Sequence, residues 1–149
     1  MGRLAKFLRL PQPERWLIIR VTLLLCVTQL ALRLFSFRRV YRWMSAASQP
    51  KIHRGDKVQP DAEQICAAVN KSGRNFLGVN SCFPQALVGG MLLKRGGYPA
   101  MLRIGVIKEQ NNELKAHAWV ELNSKVMIGG PLSQVEKYTP LPELNKIKL

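Results

Sequence analysis

The stretch "ERWLIIRVTLLLCVTQLALRLFSFRRVYRW", from Glu14 to Trp43, lacks glycine and proline and is dense in leucine, so it reads as helix with a break near Phe35-Ser36-Phe37. Pro11 and Pro13 mark its start. Arg15, Thr22, Gln29 and Ser36 recur every seven positions, and Arg33 falls in the same narrow stripe at about 100° per residue. Most of the remaining circumference is apolar. Such a helix needs cover on several sides, from its own domain, a partner or a bilayer. The uninterrupted apolar run, Val21 to Leu32, spans 12 residues between Arg20 and Arg33, short of the roughly 20 that a spanning helix needs. The stretch also imitates a signal peptide, but "RLFSFRRVYRWM" follows where a small-residue cleavage site belongs. A packed or partner-facing helix is favoured, a membrane-surface helix next, a span last.

The helix also carries much of the charge. Residues 1–58 hold 12 Lys and Arg against two Asp and Glu, out of 23 and 9 in the whole 149-residue chain. Such a segment can meet nucleic acid, anionic lipid or an acidic partner. Nucleic acid ranks lowest, because the arginines are interleaved with apolar residues and no familiar DNA- or RNA-binding signature is present. The three cysteines, Cys26, Cys66 and Cys82, are odd in number and widely spaced. They suit neither a disulfide framework nor a paired-cysteine metal site, and favour a reducing, cytoplasmic setting.

Residues 45–60, "SAASQPKIHRGDKVQP", are polar with two prolines and a glycine, and read as a linker. The expected division is a basic, leucine-rich helical segment with linker over 1–57 and a second domain over 58–149. Within the latter, "PDAEQICAAVNKSG" predicts a short helix with Asp61 near its start, Ile65, Ala68 and Val69 on one face, Cys66 in the core and Gly73 at its end. The stretch Asn80 to Gly96 predicts another, with Asn80 or Ser81 as cap, Pro84 in the first turn and Gly96-Gly97 closing it. "AMLRIGVIK", "ELKAHAWVEL" and "KVMIG" are β-rich runs separated by turn-formers, and the expected fold class is α+β with an antiparallel meander.

Two residues of this second part invite chemistry. Cys82 opens a helix, where backbone N–H groups and the helix dipole favour a thiolate and can donate to an oxyanion. His117 shares one strand face with Trp119 and Glu121, while Ala116, Ala118, Val120 and Leu122 form a small apolar face for the core. An imidazole so placed can meet the start of the cysteine helix, pair with the thiolate, protonate a leaving amine and activate water. Taken singly, a cysteine beside an apolar helix face is more often packed, and a lone strand histidine more often structural. The other histidine, His53, lies in the linker.

"SCFPQALVGGMLLKRGGYPAMLRIGV", then "AHAWVELNSKVMIGG" and "YTPL", resembles the transglutaminase-like cysteine peptidases of lasso-peptide biosynthesis, the B proteins that remove the leader from a precursor peptide. The resemblance covers roughly residues 58–142, and the leucine-rich segment before it is also similar. It implies a papain/transglutaminase-like domain with Cys82 as nucleophile and His117 as general base and acid, and neither metal nor other cofactor in the cleavage step. It implies as partners the precursor, cut at its leader–core junction with Thr usually the leader's penultimate residue, and the ATP-dependent macrolactam synthetase that closes the ring. With no room for a fused recognition module, the chain resembles the split form, which depends on a separate leader-recognition protein.

The family's third catalytic member is commonly an Asp about a dozen residues after the His, whereas here Met127-Ile128-Gly129-Gly130-Pro131 holds no carboxylate. If Asn123-Ser124 is a two-residue turn, 122 pairs with 125 and His117 faces Gly130. Gln134, Glu136, a backbone carbonyl or water can then steady the ring, whereas Glu121 lies about 13 Å along the strand. The third member is unassigned. Acyl transfer to an amine through the same thioester, and a non-catalytic peptide- or membrane-binding scaffold, are the alternatives.

Overall fold

The computed structural model describes residues 2–50, 59–78 and 81–142, so His53, Asn80 and residues 51–58 of the expected linker lie outside the described residues, while residues 45–47 of that stretch belong to a helix. A short helix α1 (Arg3–Leu8) leads into α2 (Gln12–Leu34), with Pro13 in its first turn. Phe35 and Ser36 are extended, so the chain breaks where the sequence predicts and restarts as α3 (Phe37–Ala47). Phe35 packs edge-on against Trp43 at 5.1 Å, which fixes the corner.

One face of α2 belongs to the core. Ile18, Val21, Leu25 and Thr28 are buried, and α2 packs on α4 (Ala62–Ser72) and α5 (Cys82–Arg95). The Thr22 hydroxyl bonds the Ile18 carbonyl at 2.8 Å and lies 3.2 Å from the Ser72 hydroxyl, joining α2 to the end of α4. Helix α2 is long and apolar enough, by length and composition, to cross a membrane, since its full 23 residues extend well beyond the 12-residue apolar run.

Helix α4 begins at a capping box in which Asp61 accepts from the Gln64 N–H and the Gln64 side chain accepts from the Asp61 N–H. The α-helix ends at Ser72 with Gly73 as its C-cap, as expected. Gly73 is right-handed at φ −58°, and the chain continues as a π-helical turn, Gly73–Leu77, stopping at Gly78 with φ 74°. Gly78 rather than Gly73 supplies the left-handed conformation that ends the element.

Strands β1 (Ala100–Lys108), β2 (Leu114–Leu122) and β3 (Lys125–Ile128) form the expected meander. A short helix α6 (Leu132–Val135) then leads to a two-residue edge strand β4 (Thr139–Pro140) paired with β1, neither of which the sequence reading contained. The antiparallel order is β3-β2-β1-β4. Asn123 and Ser124, at φ 50° and 64°, form the tight turn. Helix α5 packs on the sheet through glycine: a methyl group at Gly89 would coincide with the Ile128 side chain, and one at Gly90 would touch Val120. The core therefore lies between the sheet and the helices, with α5 as the shared element.

Candidate active site

Cys82 is the first residue of α5 and is partly buried. Pro84 has no N–H to leave unsatisfied, so the open first turn presents the N–H groups of Cys82 and Phe83. Phe83 is braced from behind by Phe37 of α3, edge to face at 5.5 Å.

Ser81, the N-cap, does not cap with its side chain. Its hydroxyl bonds the Gly78 carbonyl at 2.7 Å, and the Gln85 Nε2 bonds the Ser81 Oγ at 2.6 Å. A carbonyl only accepts, so the Ser81 proton is committed to Gly78 and Ser81 must accept from Gln85. This chain fixes the amide with Oε1 as its remaining acceptor. The amide rests on Gly73, where any Cβ would overlap it. From sequence Gly73 reads only as a helix end and Ser81 only as a cap, not as supports of the Gln85 amide, although the Ser81 to Gln85 spacing of four is a helical neighbour distance.

His117 lies on β2, 8% exposed. Its ring stacks on Tyr138 at 5.1 Å and on Trp119 at 6.3 Å. Gly105, opposite His117 on β1, makes room, since a Cβ there would strike both Trp119 and Tyr138. Trp119 is buried as well, so the face expected to oppose the core is itself covered. The Trp119 indole N–H donates to Glu121 at 2.8 Å, and Glu121 also pairs with Arg103 at 3.4 Å. That carboxylate is engaged away from the imidazole.

The expected facing of His117 and Gly130 is corrected. Leu122 pairs with Lys125 as anticipated, but a bulge between Val120 and Glu121 sets Val120 opposite Ile128 and ends the ladder there. Gly129 and Gly130, at φ 111° and 103°, then turn the chain out of the strand. The partner found for the imidazole among the described residues is the Gly129 carbonyl, 2.6 Å from Nε2. Of the side chains considered for the third position, Gln134 reaches the cavity wall while Glu136 is exposed and does not line it.

Cys82 and His117 line one cavity of about 520 Å³. Asn70 and Arg74, Gln85, Gln134 and the Gly129-Gly130 turn complete its wall. Asn70 donates to the Met127 carbonyl at 3.0 Å, tying α4 to β3 across one side. Arg74 on the π-helical turn is the cationic side chain of the lining. The other thiols are elsewhere: Cys26 is exposed on α2, and burial, helped by Glu63, pushes the Cys66 thiol up to about 11. No cluster of three or more metal-binding side chains occurs among the described residues.

A family model of the transglutaminase-like superfamily matches residues 24–143, from the middle of α2 to just past β4 and including both Cys82 and His117. No curated protein and no solved structure matches the chain. With a helix-borne cysteine and a strand-borne histidine opening on one cavity, and a match over most of its length, the chain belongs to the transglutaminase-like superfamily.

Proposed function

We propose that this protein is a cysteine peptidase that removes the leader from a ribosomally made lasso-peptide precursor. It acts with a separate leader-recognition protein and ahead of an ATP-dependent macrolactam synthetase, in the cytoplasm. The observation that carries the chemistry is the shared cavity, with Cys82 at the open end of α5 and His117 held at Nε2 by Gly129. Both reacting groups lie within 58–149, and residues 1–57 supply helical support and docking surface.

In this reading His117 takes the proton of the Cys82 thiol, the sulfur attacks the scissile carbonyl, and the N–H groups of the first turn of α5 stabilise the oxyanion. Because Nε2–H is committed to Gly129, the neutral imidazole has Nδ1 as its basic atom. His117 passes a proton to the core's departing amine, leaving the leader as a thioester on Cys82. It next takes a proton from water, whose oxygen adds to the thioester; the products are a leader carboxylate and the restored thiol. Gln85 offers its Oε1 to a substrate N–H, and Arg74 suits an acidic group on the bound peptide.

The test is mass spectrometry of precursor incubated with this protein and its recognition partner. Free leader carboxylate and intact core are expected, with no product from Cys82→Ala. A leader that gains the mass of an added amine would assign acyl transfer instead, and unchanged cleavage by Cys82→Ala would eliminate the peptidase reading.

A further inference from the structure

Helix α2 carries a second apolar face that the domain does not cover. Ile18, Val21 and Leu25 point into the core, and at about 100° per residue Trp16, Leu23, Val27, Leu30 and Leu34 fall on the opposite side. Those five are 56 to 68% exposed, and Ile19 joins them at 40%. The stripe runs from Trp16 to Leu34, about 27 Å along the helix. Single exposed apolar residues are ordinary on a protein surface, but a continuous stripe of six marks an interaction surface.

The stripe is edged by cations. On the helical wheel Arg20 lies on one flank and Arg33 on the other, both exposed. Exposed Arg9 precedes the stripe, and Arg39 and Arg42 of α3 follow it, with Trp43 half exposed beside them. Glu14 is the acidic residue of α1 to α3. We infer that this face binds an anionic lipid surface, with α2 lying in the membrane plane. Apolar side chains enter the boundary between headgroups and acyl chains, arginines meet lipid phosphates, and Trp16 and Trp43 sit at headgroup depth. The buried face of α2 holds the helix along the surface rather than across it, because Val21 and Leu25 are fully buried against the domain. A second copy of the chain is a poor occupant, since it would bring two strongly basic segments together without acidic partners.

The inference is independent of the reaction assigned to Cys82. Its test is co-sedimentation of the full chain with phosphatidylcholine vesicles, with and without phosphatidylglycerol. Binding to the anionic vesicles is expected to be about tenfold tighter or more, and to weaken at about 0.5 M salt. Leu23→Glu/Leu30→Glu and, separately, Arg20→Glu/Arg33→Glu alter exposed positions. Both should keep the thermal midpoint of the parent while losing about tenfold or more in vesicle binding. Absence of binding to anionic vesicles, or undiminished binding by the folded leucine variant, would overturn the inference. So would a dimer in solution that the leucine variant dissociates, which would assign the face to a second copy.

Discussion

The Nε2 of His117 lies 2.6 Å from the carbonyl oxygen of Gly129, where a carboxylate is the more familiar partner of a catalytic histidine. A carbonyl orients the ring and fixes its tautomer but brings no full negative charge to an imidazolium. Nitrogen-15 NMR of the neutral protein should show His117 with its hydrogen on Nε2. An Nδ1–H tautomer would mean that this bond does not hold the ring.

Gly129 is placed by its backbone as well as by its carbonyl. At φ 111° an added Cβ would meet Trp119 and the Ala118 carbonyl. Gly129→Ala is expected to cost about 1–3 kcal/mol of stability in urea titrations. It should also lower the turnover of the folded fraction more than it changes KM, since it moves the group that aims His117.

Under the proposed chemistry Cys82 is expected to alkylate faster than the other thiols near pH 6, despite the greater exposure of Cys26. His117→Gln should slow its labelling about tenfold or more while leaving Cys26 unchanged. Equal, slow labelling of all three cysteines would count against an activated nucleophile.

Cys66 makes a separate, pH-dependent contribution. Burial lifts its thiol from 9.0 to about 11, so the folded state keeps a proton that the unfolded state releases. The associated stability is present below pH 9 and is lost as pH rises from about 9 through about 11, on the order of 2 kcal/mol. In Cys66→Ala the fall in unfolding free energy between pH 8 and pH 11 should shrink by that amount. An unchanged fall would show that Cys66 does not carry it.

Ser81 is expected to matter beyond its size. It is 1% exposed and connects the Gly78 carbonyl to the Gln85 amide. Ser81→Ala leaves both without that partner and should cost about 1–3 kcal/mol, measured by chemical denaturation. Gly73→Ala should displace the same amide from the other side. The two losses should fall short of additivity in the double variant, because they act on one group.

The elements themselves were legible in residue pattern: the break at Phe35-Ser36, the Asp61 cap, the cysteine opening α5, and the turn at Asn123-Ser124 all follow from local chemistry. What escaped was set by distant geometry. The register shift at Val120-Glu121 precedes the turn that brings the Gly129 carbonyl to His117, and no single residue announces it. Gly73 reads as a helix stop because glycine commonly is one, yet its lack of a side chain serves the Gln85 amide across the interface with α5. Strand β4 has only two residues, one of them proline, which leaves no periodicity to find.

Helix α2 is synthesised before the core partners that bury it. Its core partners, from Ile65 on α4 to Leu93 on α5, emerge from the ribosome only after some dozens of further residues have been added. At roughly 5–20 residues per second that interval lasts several seconds, during which both apolar faces of the helix are without their native cover. The order of synthesis thus presents the nascent chain's most adhesive element to its surroundings before the fold exists to claim half of it.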